Sequence, residues 1–128
     1  MLLDSNILIY GAKGANPALD AILDRSDLAA ASITRIETLG FHRLTALEQQ
    51  WLETVFERMN ILWLDETVAS QAIALRQERK MGLADAIIAA TALVHDLPLV
   101  TRNIADFKHV ARLNLIDPFA TTENQSQV

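Results

Sequence analysis

The sequence predicts an α/β protein, with a central, mostly parallel β-sheet of four to five strands covered by helices on both faces in three layers. Three observations predict it. Short apolar runs of strand length alternate with longer stretches whose apolar residues recur at helical spacing. One helical stretch, 83–95, is apolar nearly all round, the pattern of a helix buried inside a fold. Polar residues collect where the strand-like runs end, at Asp4, at Ser32 and Thr34, and at Thr101, Arg102 and Asn103. In open parallel sheets, ligands bind beyond those carboxyl ends.

Taken in order, Met1 to Asp4 reads as a buried strand ending in a carboxylate, Ser5-Asn6 as a turn, and Ile7 to Tyr10 as a short helix. Asn16-Pro17 is a cap followed by proline at a first helical position, with Leu19, Ile22 and Leu23 at helical spacing behind it. Leu28 to Ser32 is the second strand. Thr34 to Glu37 and Thr45 to Glu48 both have the T-x-x-E form of a capping box, and Leu47, Trp51, Leu52, Val55, Phe56 and Met59 trace one helix face. A helical hairpin is expected between Ser32 and Asn60. Ile61 to Leu64 is the third strand, Asp65 caps a helix through Lys80, and Gly82 breaks it. The buried helix follows, then a fourth strand (Pro98 to Thr101), a short helix (Ile104 to His109) and an edge strand (Asn114 to Ile116) closed by Asp117-Pro118.

The 128 residues fit one domain, expected over 1–120, with a polar tail at 121–128 expected to fray. Hydrophobic residues make up 51% of the chain and aromatics only 5%, so the core is built from Ala, Leu, Ile and Val, and whole-chain disorder is excluded. The absence of cysteine removes disulfides, thiolate metal sites and thiol nucleophiles, and fits a cytoplasmic protein. The N-terminal apolar run has no basic lead and is interrupted by Asp4, so no signal peptide is expected, and no apolar run is long enough to span a membrane. A net charge of −5 argues against holding nucleic acid by bulk positive charge. Work on phosphates then needs a local basic patch, for which Arg35, Arg43, Arg79, Lys80 and Arg102 are candidates, or bound cations.

Asp4, Glu37 and Asp85 are expected at one mouth of the sheet. Gathered carboxylates repel one another unless a cation neutralises them, and ligands that are all oxygen favour Mg²⁺ or Mn²⁺ over zinc. Two such ions, about 3.5–4 Å apart, serve an in-line displacement at a phosphodiester. Each acid also has a plainer explanation. Asp4 suits an Asx-type turn, Glu37 the Thr34 capping box, and Asp85 the dipole of its helix. His42, His95 and His109 share no ligand spacing and read as structural or surface residues, and Trp51 and Trp63 as core or dimer-interface residues.

Four segments in order, Leu2-Leu-Asp-Ser-Asn-Ile-Leu-Ile-Tyr10, Ser32-Ile-Thr-Arg-Ile-Glu-Thr-Leu-Gly40, Leu83-Ala-Asp-Ala-Ile-Ile-Ala-Ala-Thr-Ala92 and Val100-Thr-Arg-Asn-Ile-Ala-Asp-Phe107, resemble the PIN-domain nucleases, and among them the VapC-like toxins of toxin–antitoxin pairs. The resemblance implies a PIN fold, a Mg²⁺- or Mn²⁺-dependent ribonuclease, a homodimer, and inhibition by a small antitoxin protein docked in a groove. Carried over by motif, Asp4 and Asp85 are the central metal ligands and Glu37 a ligand or water-orienting carboxylate. Many relatives place an aspartate where this chain has Asn103, so either the Asn103 amide oxygen or Asp106 completes the catalytic set. Ser5, Asn6 and Thr101 are expected to orient the carboxylates, and Arg102 or Lys80 to meet a substrate phosphate; the plainer expectation for Arg102 is a surface pair with Asp106. The alternative function is a catalytically silent PIN-like module that binds RNA or acts as a scaffold. An aspartyl-phosphate hydrolase would need an aspartate where Asn6 stands, and neither a P-loop nor a G-x-S-x-G motif is present.

Overall fold

Strand β1 (Leu2–Leu3) is only two residues long, yet it is the centre of the sheet in the computed structural model, which describes residues 1–14 and 16–119. The expected fraying tail at 121–128 lies outside the described residues. β1 runs into α1 (Ser5–Lys13), and α2 (Pro17–Leu23) follows. Strand β2 (Ala29–Ala31) enters α3 (Ser32–Leu39) without a loop, and α4 (Ala46–Glu57) leads to β3 (Asn60–Leu62). Next come α5 (Glu66–Glu78), α6 (Leu83–Val94), β4 (Leu99–Val100), α7 (Ile104–Phe107) and β5 (Leu115–Ile116). The strand order is β3-β2-β1-β4-β5, and every pairing is parallel.

Two-residue pleats suffice because successive side chains leave a strand on opposite faces. Leu2, Ala29, Ala31 and Leu99 point into a core shared with α5, α6 and Phe107. Leu3, Ala30 and Val100 point into a second core with Ile7, Leu8, Leu19, Leu52 and Phe56. Helices α1, α2 and α4 thus cover one face, and α5, α6 and α7 the other. Burying both faces explains why the strands read as unbroken apolar runs rather than alternating ones. The alanines of α6, all but Ala84 buried, allow close approach to the sheet and to α5.

The chain builds outward from β1 to β3, then crosses back to start β4 on the other side of β1. The switch point of this doubly wound sheet therefore lies between the carboxyl ends of β1 and β4, where Asp4 and Thr101 stand. Helix α3 touches α1, α4 and α6 and closes the same end.

Several local expectations are corrected. Ser5 and Asn6 form the first turn of α1 rather than a turn before it, with Asp4 as the cap. The Thr34 capping box does not form, because β2 passes straight into α3 and Thr34 is already inside the helix, its hydroxyl buried without a partner. The Thr45–Glu48 box closes with both bonds, 3.1 and 3.0 Å. Leu47 does not belong to the buried face of α4, and Trp63, beyond the end of β3, is exposed rather than core. Helix α5 ends at Glu78 rather than Lys80, and Gly82 stands at the N-cap of α6.

Candidate active site

Asp4 is held from two directions. Its Oδ1 accepts the Ser5 N–H at 2.8 Å, which caps α1, and its Oδ2 accepts the Thr101 hydroxyl at 2.7 Å across the switch point. The turn-like role and a site role are therefore compatible in one side chain. Thr101 uses its oxygen twice, since it also accepts the Asn103 N–H at 3.0 Å and so fixes the start of the segment leading into α7. Asp4 is 4% exposed, and burial raises its pKa above the usual carboxylate value. The two hydrogen bonds oppose that rise, while the charges of Glu37 and Asp106 add to it.

Glu37, on the exposed side of α3, accepts the Ser5 hydroxyl at 2.6 Å through Oε1. One serine thus links two acids, its backbone to Asp4 and its side chain to Glu37. Asp85, half-buried in the first turn of α6, has its pKa pushed up to about 6, first by burial and then by the charges of Asp4, Asp106 and Glu37. The field at Asp4 and Asp85 thus identifies a set of four acids from four places in the chain: the end of β1, α3, α6 and α7. Among the described residues none of the four is ion-paired with a basic side chain, and the expected Arg102–Asp106 pair does not form.

A pocket of about 170 Å³ is lined by Asp85 and Asp106 together with Arg79, Lys80 and His109. His109 shares no ligand spacing in the sequence, yet its Nε2 is buried without a partner. Asn6 lends its Oδ1 to the Arg102 N–H at 3.5 Å, and its Nδ2 is buried without an acceptor. Arg102 sits over two rings, 5.0 Å from the centroid of Tyr10 and 4.4 Å from that of Phe119, a contact between distant segments that no local pattern announces. Asn103 is exposed and its side chain makes no capping bond to α7.

The donor set is all oxygen, negatively charged and uncompensated, which fits a hard divalent cation. Among the described residues no three such groups close to ligating distance around one point, so the acids share a mouth without yet forming a coordination shell.

The PIN domain family model matches residues 1–113. This chain belongs to the PIN-domain family. A ribonuclease VapC10 from Mycobacterium tuberculosis is 30% identical, with 94% of this chain and 93% of that protein covered, which puts this PIN domain among the VapC ribonucleases. Similar solved structures include a toxin–antitoxin complex from Klebsiella pneumoniae, 33% identical, with a TM-score of 0.78 over 91% of this chain and 96% of that one. VapBC-1 from nontypeable Haemophilus influenzae is 26% identical, with a TM-score of 0.76 over 92% and 97% of the two chains. FitAcB from Neisseria gonorrhoeae is 27% identical, with a TM-score of 0.75 over the same shares.

Proposed function

We propose that this PIN domain is a Mg²⁺- or Mn²⁺-dependent ribonuclease and the toxin of a toxin–antitoxin pair. The observation that carries the metal dependence is the unpaired set of acids at the switch point, with Asp85 pushed up to about 6. Like charges this close, with no basic partner, favour either a proton or a cation. Asp4, Asp85 and Glu37 would hold the metal, with Asp106 rather than Asn103 completing the charge, since Asp106 is the one that acts on both Asp4 and Asp85.

A bound divalent ion supplies Lewis acidity towards a phosphodiester oxygen and lowers the pKa of water. The chain's own residues do the rest. Ser5 and Thr101 fix the orientation of Asp4, and Ser5 holds Glu37 through Oε1, leaving Oε2 to meet the metal or to orient the attacking water. Asn6 accepts the Arg102 N–H through Oδ1 and so steadies the segment that follows Thr101.

A cognate antitoxin partner is supported by relatives that were solved as toxin–antitoxin complexes, and by apolar surface that this chain leaves uncovered. Ile36, Trp63 and Leu64 line an open groove of about 600 Å³ between α3 and the end of β3, and Ile36 and Trp63 are 72% and 64% exposed. Exposed apolar surface of this kind suits a protein partner. A homodimer belongs to the same proposal.

The test is cleavage of a panel of structured RNAs by the purified protein in Mg²⁺, Mn²⁺ or EDTA, beside Asp4→Asn and Asp85→Asn variants shown to be folded by circular dichroism. Cleavage that needs metal and is lost in both variants is the expected result. No cleavage with either metal moves the reading to an RNA-binding or scaffold module, and cleavage unchanged in the variants identifies a contaminating nuclease.

A further inference from the structure

Arg102 is exposed and its guanidinium is ion-paired with no carboxylate among the described residues. It directly follows Thr101, whose hydroxyl is bonded to Asp4, and its backbone N–H reaches Asn6 Oδ1 at 3.5 Å. Its guanidinium carbon lies 4.4 Å from the Phe119 centroid and 5.0 Å from that of Tyr10. The two rings meet edge to face at 6.3 Å. A free arginine of this length samples many rotamers, and holding it over two rings removes much of that freedom before any ligand arrives. The rings engage the π-faces of the group but take none of its N–H donors, which remain a rigid fork matched to a phosphate. A chain of net charge −5, with only 11 lysines and arginines, has few cations to place by a polyanion, and this one is held over two rings on the residue that directly follows Thr101.

We infer that Tyr10 and Phe119 hold Arg102 as a preformed clamp for one RNA phosphate next to the scissile bond, with the two rings as positioning residues. The inference rests on the ribonuclease reading and assigns that site its phosphate contact. A phosphate of the strand is favoured over a carboxylate of a protein partner because Arg102 is one residue from the Asp4–Thr101 bond, where the substrate backbone must lie.

The experiment compares Arg102→Gln, Arg102→Lys, Tyr10→Leu and Phe119→Leu in the full chain. It reads kcat and KM on an RNA that the unsubstituted protein cleaves, and the salt dependence of RNA binding in an Asp85→Asn background. Arg102→Gln is expected to raise KM roughly tenfold and to reduce the slope of log affinity against log salt by about one. Arg102→Lys keeps the slope but not the KM, because an ammonium neither stacks nor forks. The ring variants raise KM roughly threefold at unchanged slope, and add nothing in the Arg102→Gln background. Tyr10→Phe, which keeps the ring, stays at the unsubstituted KM and guards against loss of folding in Tyr10→Leu. Unchanged KM and slope in Arg102→Gln, with only a lower Tm, overturns the inference and makes the stack a structural staple. If the unsubstituted protein cleaves no RNA, the ribonuclease reading has failed, and the binding slope alone still decides whether Arg102 meets a phosphate.

Discussion

Asp85 shows at the scale of one residue what the site costs the fold. Its folded pKa of about 6 lies above the unfolded value of 3.8, so the folded chain holds a proton that the unfolded chain has already released between those values. Its contribution is therefore intact below about pH 4 and is lost as pH rises to about 6, and buried Asp4 shifts in the same direction. Metal-free protein is expected to lose thermal stability from pH 4 to pH 7, and Asp85→Asn to flatten that decline and raise Tm by a few degrees at pH 7, read by thermal unfolding in EDTA. A decline equally steep in Asp85→Asn would place its cause elsewhere. The same field separates the two candidates in the last motif. Asp106→Asn is expected to cut kcat/KM by at least tenfold, as loss of a charge that acts on two other acids should, and Asn103→Ala to change it less than threefold. The reverse order, measured under single-turnover conditions, would assign the position to the amide.

At the scale of elements, two identical sequence patterns have opposite fates. Thr45 begins its helix and closes a capping box, whereas Thr34 follows a strand that becomes a helix without a break, so its hydroxyl faces the interior. Thr45→Ala is expected to cost about 1 kcal/mol. Thr34→Val, which keeps the shape and removes an unpartnered buried hydroxyl, is expected to be neutral or to stabilise by about 1 kcal/mol, both by urea unfolding. A loss of more than about 1 kcal/mol in Thr34→Val would mean that its hydroxyl has a partner. This pair also shows what was legible. The alternation of strands and helices, the buried helix and the acids at strand ends are local patterns, and they yielded the parallel sheet together with Asp4 and Asp85. The distance of Glu37 from β2 points it towards the site, although the same four residues also suggest a cap, and the absence of a loop between β2 and α3 removes the cap. Asp106 against Asn103 depends on how α7 presents its first turn, and the Tyr10–Arg102–Phe119 stack joins three segments far apart in sequence. Neither has a periodicity to read.

For the whole molecule, the four acids come from both halves of the doubly wound sheet: Asp4 and Glu37 from the half built outward from β1, Asp85 and Asp106 from the half that returns. Without a cation they repel across the switch point, and the hydrogen bonds of Ser5 and Thr101 offset only part of that. A divalent ion among them would replace repulsion between the halves with a common tie, and would bind the folded chain far better than the unfolded one. Linkage then requires stabilisation that grows with ion concentration, roughly 3 kcal/mol at a hundredfold excess over Kd. It also requires the pH dependence to invert, because ion and proton compete for the same oxygens and deprotonation now favours binding. Millimolar Mn²⁺ is thus expected to raise Tm by several degrees at pH 7 and by almost nothing at pH 4, where Ca²⁺ and Mn²⁺ should be equally without effect. Asp85→Asn should lose most of the shift at pH 7 while unfolding as cooperatively as the unsubstituted chain. A Tm that ignores Mn²⁺ at pH 7, in a protein that still cleaves RNA, would mean that the ion arrives with the substrate and that the acids repel one another until the RNA is bound.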